Sequence, residues 1–177
     1  YQDGICHIQN QLYSKSVCCE DINYKEASDD EKTVLFELYC KLVNYFGPSV
    51  GFELSVVCYP ADLEEYRKIL AIPAQGDQFD VIRKEYSDML VRQVSKSRYE
   101  RRICVTFTIE AENIKQARSR LSQIESDVIN HFRALSVDTV PMNGYERLAV
   151  FHKCLHLEEP RKFRFNWDSL NKTGLSS

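Results

Sequence analysis

Two histidines and a cysteine in the last quarter of the chain have side chains that can bind transition metals. His152 and His156 are four positions apart, which places both imidazoles on one face of a helix, and Cys154 lies between them. A zinc-protease helix has a glutamate after its first histidine, whereas this chain has Lys153 there. We therefore favour a histidine pair that complements the C-terminal end of a helix, and we predict no metal ion.

Cysteines near the start of the chain offer a second set of soft metal ligands. Cys6 precedes His7, and Cys18 precedes Cys19, within two segments that are expected to pair as a hairpin. Alternation along a strand sends adjacent side chains to opposite faces. Cys18 and Cys19 are therefore not expected to bind one ion, and no zinc site is predicted.

The cysteine count indicates the redox state. Seven cysteines is an odd number with no repeated spacing, which favours reduced thiols over a disulfide framework. Cys40, Cys58 and Cys104 sit in apolar patterns, where a free thiol behaves as a small hydrophobe. We expect most of the cysteines to be reduced and buried.

The glycines of the chain do not form a nucleotide site. A phosphate-binding loop needs glycine amides around the phosphates, followed by Gly-Lys-Ser/Thr. None of the six glycines here is followed by lysine. We predict that this chain is not itself an enzyme and that it binds no cofactor.

Cations and aromatic rings alternate in the segment from Arg161 to Trp167. Phe163, Phe165 and Trp167 alternate with Arg164 and Asn166. Such a segment can follow a phosphate backbone while it stacks bases, or it can contact a membrane or partner. The favoured interpretation is that the rings face inward, as an edge strand or connector that packs on this domain or on a further domain outside this sequence.

The predicted elements begin with a β-hairpin of residues 5–9 and 12–19. Ser28 and Glu31 then form a capping box ahead of an amphipathic helix that Gly47-Pro48 ends. Later strands are indicated by alternating apolar side chains. They are expected over residues 52–59, 103–109 and 137–140.

Helices fill the remaining segments. One is expected over residues 62–70, and Asp77 is predicted to cap the next, whose apolar stripe has spacings of three and four. Asn113 and Asn143 are predicted to begin two later helices. The stripe comprises Phe79, Ile82, Tyr86, Met89 and Leu90.

This order predicts an α+β fold with a mainly antiparallel sheet and helices on one face. The pattern ββαβα followed by αβαβα resembles two related α/β halves, although no residue-level repeat is present. We expect one domain over residues 1–159, with interleaved halves of about 1–70 and 71–159, followed by a connector over 160–177. No run approaches the ~20 apolar residues that span a bilayer.

Five segments in order along nearly the whole chain carry a family resemblance. They are Asp3-Gly-Ile-Cys6, Asn44-Tyr-Phe46, Ile72 to Leu90, Met142 to Leu148 and Phe163 to Asp168. Together they resemble the N-terminal region of the VirB/TrbE/CagE-type ATPases of conjugative type IV secretion. The similarity is greatest to the TraE-like versions on Gram-positive conjugative elements.

The resemblance implies a function for the chain and for a longer parent. ATP and magnesium would bind a separate RecA-like ATPase domain that this sequence lacks, so the chain is expected to be an excised domain. Its implied role is non-catalytic: it would couple the motor to the membrane channel at the cytoplasmic face of the cell membrane during DNA transfer. The implied partners are inner-membrane channel components, the coupling ATPase and other ATPase subunits.

Charge is unevenly distributed, and it indicates candidate contact surfaces. Residues 1–46 carry a net charge of −4 from four Lys/Arg and eight Asp/Glu, and residues 92–120 carry +5 from eight and three. Solvated helix faces would give the same pattern.

The alternative function is a module that handles single-stranded DNA through the basic region. The candidate contact residues are Gln75, Asp77, Arg92, Lys96, Arg98, Arg101, Arg102, Phe163, Phe165 and Trp167.

Overall fold

The computed structural model describes residues 1–21, 26–60, 63–94, 99–157 and 163–170. The strands within these residues are β1 Cys6–Gln9, β2 Leu12–Cys19, β3 Val50–Pro60, β4 Tyr99–Glu110 and β5 Thr139–Pro141. The helices are α1 Asp29–Tyr45, α2 Leu63–Leu70, α3 Asp80–Val94, α4 Ile114–Ala134, α5 Gly144–Leu155 and α6 Trp167–Leu170. The predicted element order is confirmed, with α6 added at its end.

Strands from distant parts of the chain form one antiparallel sheet. β2 pairs with β4 along its whole length, from Leu12 opposite Glu110 to Cys19 opposite Ile103. β1 and β5 share the other edge of β2, and β3 pairs with the free side of β4. The α+β prediction is confirmed, because the sheet is antiparallel and helices pack on it.

The hydrophobic core lies between one face of the sheet and the helices α1 and α4. The apolar stripe of α4 is buried against alternate residues of β2 and β4, as the spacing predicts. Burial of each such side chain stabilises the fold by roughly 1.5–3 kcal/mol. The fully buried members include Val17, Val105, Phe107, Ala117, Leu121 and Val128.

A charged pair crosses this core. Lys15 points from β2 towards α4, and its Nζ atom lies 2.8 Å from Oε2 of Glu125. Only 9% of the Lys15 side chain and 15% of the Glu125 side chain are exposed. Oε2 receives no hydrogen bond of good geometry, so the contact is chiefly electrostatic.

The fifth helix lies against the opposite, more polar face of the sheet, whereas the sequence analysis expects the helices on one face. Arg147 of α5 donates to the carbonyl oxygens of Gly4 and Ser14 at 2.7 and 3.0 Å and to the Ser14 hydroxyl at 3.1 Å. Farther along α5, the ammonium of Lys153 lies 4.4 Å from the centre of the buried Tyr59 ring. Two cation contacts therefore join α5 to the sheet.

The predicted caps are present at three helices. Ser28 with Glu31, and Asn143 with Glu146, form capping boxes, and Asn113 accepts from the Gln116 amide. The predicted cap at Asp77 is wrong, because α3 begins three residues later at Asp80. The Asp77 carboxylate instead accepts from the Phe79 amide in the turn before the helix.

None of the helices in the described ranges combines the length and the apolar composition needed to cross a membrane.

The buried pair yields a stability prediction. Replacing Glu125 by Gln leaves the Lys15 ammonium in the core without a counter-charge, and we expect a loss of about 3–5 kcal/mol in unfolding free energy. The combined change Lys15→Met and Glu125→Leu removes both charges and should recover most of that loss. Urea unfolding measures all variants.

The exposed pair of Arg67 and Glu64 provides the control. Arg67→Ala should leave the unfolding midpoint almost unchanged, because exposed ion pairs contribute little. If Glu125→Gln also leaves the unfolding midpoint unchanged, the buried pair contributes no more to stability than an exposed pair does.

Candidate interaction surface

The loop before α3 is ordered by the first residue of that helix. The Asp80 carboxylate accepts from the backbone amides of Gln75 and Gly76 at 2.9 and 2.8 Å. Gly76 has a φ of +77°, in the left-handed region that glycine adopts without steric cost. The two amides turn back towards the helix as a result.

Arg83 completes this network from one turn farther along α3. Its Nη2 atom donates to Asp77 Oδ2 at 2.8 Å and to Gln75 Oε1 at 3.1 Å, while Nη1 bridges Asp77 and Asp80. The hydrogen bond from Arg83 lowers the pKa of Asp77, and the Gln75 amide contributes most to lowering the pKa of Asp80. Both carboxylates are therefore held in the charged form.

The predicted contact residues Gln75 and Asp77 thus belong to one ordered loop. Asp80 and Arg83, which organise it, were not selected from the sequence. The acidic residues three apart and the arginine three farther on are the signal that could have identified them.

The predicted apolar stripe of α3 is exposed. No described residue of this helix is buried, and the exposed fractions reach 67% at Val81 and 60% at Ile82. The helix packs mainly against α2, and the Ile72 amide donates to the Ser87 hydroxyl at 3.0 Å. The large apolar residues exposed on α3 and just before it are Phe79, Val81, Ile82, Tyr86 and Met89.

We call the ordered loop, residues 72–79, together with these exposed side chains of α3 the α3 surface. Large apolar side chains are also exposed elsewhere, at Leu54 and Val56 of β3 and at Phe36 of α1. The α3 surface differs from them because its apolar residues follow an ordered, charged loop.

The two basic candidates on β4 are paired with carboxylates. Arg101 is paired with Asp21, and Arg102 lies 3.4 Å from Glu100. Both arginines line a cavity of about 630 Å³ that also contains acidic side chains and Cys18. Arg92 lies in the last turn of α3 and does not line this cavity. Lys96 and Arg98 lie outside the described residues.

The aromatic segment packs on this domain, which is one of the two placements expected for it, and it forms no strand. Phe163 lies 4.9 Å from the Tyr145 ring and 5.3 Å from the His152 ring, between centroids. Phe165 meets Trp167 edge to face at 4.8 Å. A side chain at Gly144 would clash with the Trp167 ring, so the close approach requires glycine there.

The candidate metal ligands are not assembled. His152 and His156 stack at 4.4 Å, and the His156 ring contacts the His152 carbonyl at the end of α5. Across the described part of the chain, no group of three His, Cys, Asp or Glu side chains is placed to hold an ion.

The prediction that most cysteines are buried is wrong. Only Cys19 and Cys104 are buried, whereas Cys6 and Cys58 are exposed. Cys58 is exposed on β3, which is an edge strand of the sheet, so its place in an alternating pattern did not determine its burial. All seven are free thiols in this structure, as the odd count predicts.

The loop network should be stable over a wide pH range. Because the pKa values of Asp77 and Asp80 are lowered by folding, the network is intact above the ordinary aspartate pKa of about 3.9 and is lost as the pH falls below it. An NMR titration of the Gln75 and Gly76 amides should therefore show no transition between about pH 7 and 5. In Asp80→Asn, both amide signals should already be shifted at neutral pH. A transition in the native chain at or above the ordinary aspartate pKa would contradict this account.

Comparisons of this chain with protein-family models, with curated proteins and with solved structures found no match.

Proposed function

We propose that this chain is a non-catalytic interaction domain of a conjugative type IV secretion ATPase, and that the α3 surface is its contact site. The observation that carries the proposal is the exposed apolar face of α3 beside its ordered loop. This region coincides with Ile72 to Leu90, the longest segment of the family resemblance.

The geometry of α3 matches that of a helix that docks into a groove. Phe79, Ile82, Tyr86 and Met89 follow one another at spacings of three and four, so they lie along one side of the helix. Single exposed apolar residues are common on protein surfaces, but a contiguous row marks a contact site. A complementary apolar groove on a partner protein would remove this row from water.

The ordered loop supports the same assignment. Binding by a mobile loop is opposed by the entropy lost when the loop becomes ordered. Here Asp80 and Arg83 already hold residues 75–77 in place before any partner arrives. The loop therefore offers charged and polar groups at the rim of the apolar row with little further ordering.

The proposed partners are proteins of the secretion machinery. They are inner-membrane channel components, the coupling ATPase and further copies of the ATPase. The chain would act at the inner face of the cell membrane, while ATP and magnesium would bind elsewhere in the parent protein. Such a parent should encode a Gly-Lys-Ser/Thr phosphate loop outside this domain.

The alternative, a surface for single-stranded DNA, has weaker support. Arg101 and Arg102 already contact Asp21 and Glu100, so a phosphate would compete with carboxylates for both guanidinium groups. Phe163 and Trp167 are half-buried against α5, which leaves less of each ring exposed for stacking on bases.

A conjugation assay with the full-length protein tests the proposal. Ile82→Ser combined with Tyr86→Ser should lower DNA transfer about tenfold or more, because removing central anchors of an interface costs roughly 2 kcal/mol each. Both side chains are exposed, so the fold should be unaffected. Transfer frequency is compared at matched protein levels, and circular dichroism checks the fold.

Lys84→Ser combined with Glu85→Ser is the matched control, since both residues are exposed on the same helix. It should leave transfer nearly unchanged. Normal transfer by the Ile82 and Tyr86 variant would refute the α3 surface. If Arg101→Gln with Arg102→Gln instead abolishes transfer and flattens the salt dependence of single-strand binding, the DNA function takes its place.

A further inference from the structure

Cys18 and Cys104 lie directly opposite each other on the two central strands. They are paired positions of the β2–β4 ladder, so both side chains project from the same face of the sheet. Opposed residues in an antiparallel ladder have Cα atoms about 4.5–5.5 Å apart. Disulfides span Cα separations of about 4.4–6.8 Å. The ladder therefore places the two Cα atoms at a separation that a disulfide can span.

The two thiols differ in accessibility. Cys18 lines the cavity of about 630 Å³ that Arg101 and Arg102 also line, whereas Cys104 is only 6% exposed. A dissolved oxidant can therefore reach Cys18 first, and Cys104 is shielded until its partner has reacted.

The charges around the pair favour a thiolate on Cys18. A hydrogen bond from the Cys104 thiol and the nearby Arg102 guanidinium lower the Cys18 pKa, against the opposing effects of burial, Glu146 and Glu100. The same hydrogen bond and burial raise the pKa of Cys104, which keeps its proton. Of the two opposed thiols, the more accessible one therefore has the lower pKa.

We propose that Cys18 and Cys104 form a peroxide-reactive cysteine pair that closes to a reversible cross-strand disulfide. The oxidant is hydrogen peroxide or an alkyl hydroperoxide. The Cys18 thiolate attacks one peroxide oxygen, the O–O bond breaks, and Cys18 becomes a sulfenic acid while the released hydroxide or alkoxide takes a proton from solvent.

Cys104 then resolves the sulfenic acid. Its sulfur attacks the Cys18 sulfur, the S–O bond breaks, and the departing hydroxide takes the Cys104 proton to become water. In total, the two thiols lose two electrons and two protons, and the peroxide is reduced to water or to water and an alcohol. An external dithiol reverses the reaction by thiol–disulfide exchange.

Cys19 does not compete for this chemistry, although it adjoins Cys18. It projects from the opposite face of β2, where it is buried, and burial raises its pKa to about 11. It is therefore neither ionised near neutral pH nor directed towards Cys104.

Peptide mapping after brief exposure of the whole chain to hydrogen peroxide tests the proposal. We expect an intact mass lower by two hydrogens and a cross-linked peptide that joins Cys18 to Cys104, both reversed by dithiothreitol. Cys58 is more exposed than Cys18, so accessibility alone predicts that Cys58 reacts first. The proposal predicts the reverse order, with Cys18 alkylated several-fold faster than Cys58 by iodoacetamide at about pH 6.5.

Variants separate the two roles. In Cys104→Ser, or in Cys104→Ala if the first fails to fold, Cys18 should stop at the sulfenic acid and be captured by dimedone. In Cys18→Ser, Cys104 should stay reduced, and Cys58→Ser should still form the cross-link. The proposal is overturned if Cys6 or Cys58 oxidises while Cys18 stays reduced. It is also overturned if the mapped disulfides join other cysteines or two chains.

Discussion

The register between β2 and β4 is the constraint on which the rest of the structure depends. β2 has partners on both edges, so its side chains are fixed by β4 on one side and by β1 and β5 on the other. A slip of one residue would exchange the faces of every side chain. Lys15 would leave Glu125, Arg147 would lose the Ser14 hydroxyl, and Cys18 would no longer face Cys104. The hydrophobic core, the packing of α5 and the opposed thiols therefore all depend on this one strand register.

Around this ladder, three of the five segments that carry the family resemblance meet in space. Gly4, with a φ of +84°, lies so close to the Met142 carbonyl that a side chain there would clash. The Gly144 amide donates to the Gln2 carbonyl, and the Trp167 ring covers Gly144. The start of the chain, the start of α5 and the aromatic segment therefore form one junction. These segments have a packing role, whereas Ile72 to Leu90 carries an exposed apolar face and is the segment proposed to contact a partner.

Local signals in the sequence were sufficient to predict most helices and strands. They were insufficient to predict how these elements pack against one another. A capping box depends on residues three apart, and strand alternation on immediate neighbours, so Asn143 with Glu146 and the faces of β4 could be predicted. The exposure of Ile82 could not be predicted, because an amphipathic pattern has the same form whether its apolar face packs on a core or binds a partner. Likewise, only the strand register brings Cys18 to Cys104, which lies far away in the chain.

The central claim is that α3 and the loop before it form the contact surface of the domain. Hydrogen–deuterium exchange of the full-length protein, with and without membranes that contain the secretion channel, tests it most directly. The account predicts slower exchange on assembly for the amides of residues 72–94, with β4 little changed. Unchanged exchange over residues 72–94, together with new protection over residues 99–110, would contradict it.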